Sequence, residues 1–232
     1  MYRKANAGHV GSSLSCLEIL VFIKFECMKA EDELILSKGH AAALLYSVLA
    51  EAGSISEEEI GTFYQEGTGL PAHPPVNRIK DIPFSTGSLG HGLSLAAGFG
   101  LAARLKKNGK KIFCVTSDGE LNEGSTWEAA LFIQQHQLRN VVWFIDRNYL
   151  QGFGRTEEVL KLDPLDKKLE SFGFQVMIAD GHSFSSLREK VRAFKNENPL
   201  VIICNTIKGL GMSTEDTLAC HYLPLKDTDF PE

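Results

Sequence analysis

Apolar residues recur along this chain with two different periods, and the change of period divides it in two. In the second half, short apolar runs alternate with stretches of helical spacing. Lys111–Thr116 reads Lys-Ile-Phe-Cys-Val-Thr, Val141–Ile145 is almost wholly apolar, and Gln175–Ala179 and Leu200–Asn205 repeat the form. Runs of this kind, with little polar alternation, predict strands buried on both faces. Between them, Trp127, Ala130, Leu131 and Gln134 mark one helix, and Pro164–Phe172 and Phe184–Asn196 mark two more. Short apolar strands separated by helices pair in parallel. The expected fold class is therefore α/β: a doubly wound, mostly parallel sheet with helices on both faces. The first half is more helical, with apolar positions at helical spacing over Leu14–Phe25, His40–Ala52, Ser56–Glu66 and Gly92–Lys106. Loops rich in Gly and Pro, Gly67–Pro75 and Pro83–Gly92, lie between these helices. Doubly wound sheets bind ligands beyond the carboxyl ends of their strands, which directs attention to the strand ends and to those loops.

Composition narrows the picture by exclusion. A chain of 232 residues, 44% hydrophobic and 23% charged, has the material for one full core, so 1–232 is expected to be a single domain. The net charge of −5 and the absence of a basic run argue against a nucleic-acid partner. Cys16, Cys27, Cys114, Cys204 and Cys220 are scattered and contain no Cys-x-x-Cys pair, which excludes a disulfide framework and a zinc site and fits a reducing compartment. Met1-Tyr2-Arg3-Lys4 ahead of the apolar Leu14–Phe25 has the outline of a signal peptide. However, Glu18 and Lys24 interrupt the stretch and no small-residue cleavage site follows, so an amphipathic helix is expected. No apolar run approaches the ~20 residues of a membrane span. A soluble, cytoplasmic protein without a membrane partner is the expectation.

The most informative segment is Ser117-Asp118-Gly119-Glu120, directly after the strand that ends at Thr116, with Asn148 just after the next strand. Asp118 offers a hard carboxylate at a strand end. Gly119, lacking a Cβ, lets backbone approach a phosphate closely. The helix that follows favours anions at its amino end. Asn148 adds an oxygen ligand without adding charge, and the carbonyl of Leu150 is placed to be a third. Phosphate oxygens and water would complete the octahedron that Mg²⁺ requires. The same residues are also compatible with a plain strand-turn-helix in which Asp118 caps the helix.

Further segments occur in a telling order: Asn6-Ala7-Gly8-His9-Val10-Gly11-Ser12, then Ser37-Lys38-Gly39-His40, then Thr86-Gly87-Ser88-Leu89-Gly90-His91-Gly92, with Ala72-His73-Pro74 between and His221 late. Together with the Asp-Gly…Asn spacing, these resemble the signatures of the transketolase family, over nearly the whole chain from His9 to His221. The resemblance implies the thiamine-diphosphate-binding fold, with thiamine diphosphate and Mg²⁺ as cofactors. Asp118, Asn148 and the Leu150 carbonyl would hold the metal. His40, Gly87, Ser88, Leu89, Asp118, Gly119, Glu123, Asn148 and His221 would contact the cofactor. His9, His221 and His73 would face the substrate as catalytic groups. The implied activity is transfer of a two-carbon ketol unit from a ketose, or ketose phosphate, to an aldose.

In this family the glutamate that activates the aminopyrimidine ring comes from a separate pyrimidine-binding domain across a subunit interface. The whole chain is taken up by the diphosphate-binding motifs, so it reads as the N-terminal subunit of a split transketolase. Its expected partner is a C-terminal subunit carrying that domain, in an α2β2 assembly. Departures from the family pattern are Ser117 for the first Gly of Gly-Asp-Gly, Ser88 for Pro, His91 for Gln, and Tyr149 for a small residue. His91 and His182 read as turn residues and His136 as a solvated helix residue. Rival readings are the alpha chain of a 2-oxoacid dehydrogenase, a deoxyxylulose-phosphate-synthase-like chain, and a regulatory subunit of the same fold without chemistry. A nicotinamide dehydrogenase is disfavoured because Gly87-x-x-Gly90-x-Gly92 reverses the Gly-x-Gly-x-x-Gly order and follows no predicted strand.

Overall fold

Successive residues of the central strands belong to two different cores. Phe113 and Val115, Val142 and Phe144, Ile202 and Cys204 pack on one face, against helices Leu17–Phe22, Ala42–Glu51 and Phe184–Arg192. Ile112 and Cys114, Trp143 and Ile145, Val201 and Ile203 pack on the other, against Gly92–Lys106, Gly124–Gln135 and Leu165–Ser171. The period of two along an extended chain produces this division, and a strand covered on both faces must be apolar at every position.

The computed structural model describes residues 1–230. Its strands are β1 (Glu33–Leu36), β2 (Ile112–Ser117), β3 (Val141–Arg147), β4 (Leu150–Gln151), β5 (Gly154–Arg155), β6 (Gln175–Asp180) and β7 (Leu200–Asn205). Five of them form a parallel sheet in the order β1-β2-β3-β7-β6, while β4 and β5 make a short antiparallel ribbon. The path steps one way through β1, β2 and β3 and back from β6 to β7. With right-handed crossovers, that reversal places Phe184–Arg192 on the face opposite Gly92–Lys106 and Gly124–Gln135. Every parallel strand therefore points its carboxyl end to the same edge of the molecule.

The apolar pattern gives no strand at Glu33–Leu36; the structure adds β1 there, pairing in register with Ile112–Val115. Four residues are too few for periodicity to separate a strand from a helix. The stretch Leu14–Phe25 is three pieces, Val10–Ser15, Leu17–Phe22 and a π-turn at Ile23–Cys27, broken at Cys16 where φ is −115°. Ser56–Glu66 contracts to Glu57–Ile60, started by a capping box in which Ser56 and Glu59 bond reciprocally. Phe184–Asn196 ends at Arg192. Gly92–Lys106 holds as expected. In Gly124–Gln135 the buried face is Thr126, Ala129, Ala130 and Ile133, whereas Leu131 stands 58% exposed.

Trp143 is the largest fully buried side chain, and its indole N–H donates to Thr116 Oγ1 at 2.8 Å. Trp143→Ala leaves a cavity between β2, β3 and Phe174, and is expected to cost about 3–5 kcal/mol in urea unfolding. Leu131→Ala, on the exposed face, is expected to fall within about 0.5 kcal/mol of wild type in the same measurement.

Candidate active site

Beneath the carboxyl ends of β1 and β3 lies an ion pair with no solvent exposure, Lys38 with Asp146. Lys38 Nζ also donates to the Ser12 carbonyl at 2.9 Å and to Ser15 Oγ at 3.2 Å. Ser15 and Thr206 hydroxyls donate to the Asp146 carboxylate. Burial alone pulls Lys38 down and Asp146 up; their pairing overrides it, so Lys38 lies above its ordinary value and Asp146 below. Asn148 Nδ2 donates to the same Asp146 Oδ2 at 3.2 Å. An amide whose NH₂ is committed to a carboxylate presents its oxygen the other way. Thus Asp146 fixes the orientation of the Asn148 amide.

Asp118 follows β2 and is 1% exposed. Its Oδ2 accepts the Tyr149 N–H at 2.7 Å and the Thr156 hydroxyl at 3.1 Å. Tyr149 makes its contact from a left-handed conformation, φ 59°, with its ring under the Arg147 guanidinium and its hydroxyl donating to Asn205 at 3.1 Å. The bulky residue found where the family has a small one is thus held outside the site. Burial, and then the charge of Asp146, push the Asp118 carboxyl up to about 6. A buried carboxylate so penalised is stabilised by a cation.

Three imidazoles from distant segments meet in the same cavity as Asp118 and Asn148. The ring centroids of His9 and His221 are 5.0 Å apart, those of His9 and His40 5.6 Å, and those of His40 and His221 6.0 Å. The His9 N–H donates to the His221 carbonyl at 3.0 Å, joining the first motif to the last. Gly11 makes this possible, because a Cβ there would stand 2.6 Å from Cys220 Sγ. Gly39 does the same for the His40 turn, where a Cβ would meet the Thr86–Gly87 backbone at 2.7 Å. All three rings are held neutral by burial and by nearby cations. His40 lies well below its ordinary value, with Lys38 adding to burial; His221 is pushed down to about 3, with Lys208 adding to burial; His9 is lowered also. The Nδ1 atoms of His9 and His221, and Ser12 Oγ, are buried without an internal partner.

A buried carboxylate also pins the glycine loop. Glu120, 0% exposed, accepts the Ser37 hydroxyl and the N–H groups of Gly90 (2.9 Å) and Ser117 (3.0 Å), tying the ends of β1 and β2 to the loop before Gly92.

These groups enclose a cavity of about 460 Å³ at the strand ends. Among the expected site residues, Asp118, Gly119, Asn148 and Leu150 line one side, and His9, His40, His73 and His221 line another. Gly87, Leu89 and Glu123 also face it. Ser88 does not: it is exposed and lines a separate hollow with Phe84 and His91. Glu123 and His73 are themselves exposed and stand at the rim. His91 Nδ1 meets the Leu89 carbonyl, His136 stacks on Phe132, and neither lines this cavity.

Sequence reasoning missed Lys208. It is 3% exposed, lines the cavity, and donates from Nζ to the Leu150 carbonyl at 2.7 Å. Burial, and then Lys38, push it down to about 8. A lone Lys after a strand carries no motif, so only the fold reveals it. The donor set fits a divalent cation with a diphosphate. Asp118 and Asn148 offer hard oxygens, and Gly119 leaves a cradle in which a Cβ would crowd Gln151 at 3.2 Å, whereas the Leu150 carbonyl expected as third ligand accepts from the Lys208 ammonium.

Comparison with known proteins places this geometry in a class. The family described as "Transketolase, thiamine diphosphate binding domain" matches residues 1–232. A subunit of the apulose-4-phosphate transketolase of Actinobacillus succinogenes is 40% identical over 89% of this chain and 78% of its own length. The 6-deoxy-6-sulfo-D-fructose transketolase subunit SqwG of a Clostridium strain is 38% identical over 97% and 86%. Human transketolase is 36% identical over 95% of this chain, which spans 37% of that protein. The transketolase structure from Campylobacter jejuni superposes with a TM-score of 0.85 at 30% identity, over 96% of this chain and 38% of that one. The chain belongs to the transketolase family and corresponds to its thiamine diphosphate binding domain.

The histidines set an acid limit on stability. The unfolded chain protonates His221 near 6.5, whereas the folded one resists until about 3. Between those values the unfolded state binds more protons, so His221 makes stability fall as pH falls. His221→Asn should flatten the decline of the urea midpoint from pH 6.5 to 4.5. Asp118 contributes slope of opposite sign between about 4 and 6 in both proteins, because its folded value is the raised one.

Proposed function

We propose that the chain is the N-terminal, diphosphate-binding subunit of a two-component cytoplasmic transketolase that depends on thiamine diphosphate and Mg²⁺. Its partner is a C-terminal subunit carrying the pyrimidine-binding domain, and two copies of each form an α2β2 assembly with paired sites. The reaction moves a two-carbon ketol unit from a ketose, or ketose phosphate, to an aldose. The observation that carries the reading is the convergence of Asp118, Asn148 and the Leu150 carbonyl with three neutral histidines on one cavity at the strand ends. Relatives named as transketolase subunits, each spanned by this chain over most of its length, support the division into two chains. Among the described residues no helix is long and apolar enough to cross a membrane.

When bound, thiamine diphosphate supplies the nucleophile and electron sink that carbon–carbon cleavage requires. The chain's own residues do the holding. Asp118 and Asn148 would hold the metal, and Lys208 and the N–H of His40 would meet phosphate oxygens, which would free the Leu150 carbonyl from Lys208 to be the third metal ligand. The cluster needs cationic donors because a diphosphate beside Asp118 exceeds the charge of one divalent cation. His9 and His221, kept neutral, line the cavity and would exchange protons with substrate hydroxyls there. His73 borders the substrate from the rim. The partner subunit contributes the glutamate that activates the aminopyrimidine.

A ketol-transfer assay, run after co-purification with the partner subunit, tests this reading. Activity should require both chains, thiamine diphosphate and Mg²⁺; turnover by this chain alone, or none by the complex, would overturn it. In the complex, His9→Ala should lower turnover about 10²–10⁴-fold with cofactor affinity nearly unchanged. His40→Ala should loosen the cofactor first, with activity partly restored by excess. Asp118→Ala should abolish Mg²⁺-dependent binding of thiamine diphosphate in calorimetry, and full affinity would move the metal site elsewhere.

A further inference from the structure

His182, expected only to turn the chain ahead of a capped helix, stands away from the cavity yet is tightly engaged. Its Nε2 accepts the Ile207 N–H at 2.9 Å, and its Nδ1 lies 3.0 Å from Glu18 Oε2. An N–H donor facing Nε2 requires a lone pair there, so the ring proton sits on Nδ1 and is donated to the Glu18 carboxylate. The two side chains are only 14% and 21% exposed.

The backbone gripped in this way leads directly into Lys208. The Gly181 N–H donates to the Asn205 carbonyl at 2.8 Å, and a Cβ at Gly181 would stand 2.4 Å from Thr206 Cγ2. The Asp180–Ser183 turn is therefore seated on residues 205–207 as closely as packing permits. Beyond Lys208, Gly209 N–H donates to the Gly11 carbonyl at 3.1 Å and fixes the other side of the segment. The Ile207 N–H, between these anchors, depends on a side chain.

We propose that His182 is a positioning residue. Oriented by Glu18, it fixes the backbone next to Lys208 and so holds that ammonium in place for the diphosphate. The proposal rests on the reading that the cavity takes thiamine diphosphate. A long, flexible side chain loses rotamer freedom when it engages a ligand, and a fixed backbone origin reduces what remains to be ordered.

The test is calorimetric titration of thiamine diphosphate with Mg²⁺ into the co-purified complex. His182→Ala should loosen binding roughly tenfold, the order expected from one net hydrogen bond. The loss should appear in the cofactor concentration giving half-maximal turnover rather than in maximal turnover. His182→Gln, whose amide both donates to Glu18 and accepts from Ile207, should restore wild-type affinity. Lys208→Met should loosen binding by itself, and His182→Ala should add nothing in that background. If His182→Ala loosened binding equally with and without Lys208, or left it unchanged, the positioning role would be wrong while the cavity assignment stood. If wild type bound no cofactor, the cavity assignment would fail and this role with it.

Discussion

The site depends on one buried ion pair. Taking a lysine and an aspartate wholly out of water costs several kcal/mol for each ion, and only close pairing with further hydrogen bonds offsets that cost. Lys38 and Asp146 meet the condition by drawing in Ser12, Ser15, Asn148 and Thr206. The pair and its partners belong to segments that line the cavity: His9 precedes Ser12, His40 follows Lys38, Asn148 itself lines it, and Lys208 follows Thr206. Removing one member of such a pair leaves an uncompensated charge, at a cost of about 3–5 kcal/mol. The same contacts that satisfy the ions therefore set the relative positions of the residues that line the cavity.

Electrostatics above the pair follow from it. Lys38 and Lys208 lie near the three histidines, and together with burial they keep those rings neutral. Neutral imidazoles retain a donor and an acceptor each, which charged ones would not. Asp118, next to Asp146, carries the opposite tension and gains from a cation. The cavity thus has buried carboxylate and amide groups on one side and neutral imidazoles on another. Glu120 adds rigidity of a separate kind by holding the glycine loop to two strand ends.

Much of this was legible in the sequence. The strands at β2, β3, β6 and β7 announce themselves because strands buried on both faces must be apolar throughout. The glycine-histidine motifs were readable because close backbone approach excludes side chains at Gly11 and Gly39. Asp118 and Asn148 were readable by their spacing across a strand-helix-strand unit. By contrast, β1 was too short to show a period, Leu131 shared its helix's spacing without sharing its buried face, and Ser88 lay in a matching motif yet points away from the cavity.

The sequence alone determined the fold class and singled out Asp118, Asn148 and the histidines that line one cavity with them, since each is written as a local pattern of residue types. Tertiary structure alone decided the rest. Lys208 carries no local signal, and its role arises from burial beside Asp118 and the Leu150 carbonyl. Likewise, Lys38 and Asp146 are separated by more than a hundred residues, and nothing local marks either as the other's partner. The neutrality of the histidines is equally non-local, because desolvation and neighbouring charge depend on which distant segments the fold packs together.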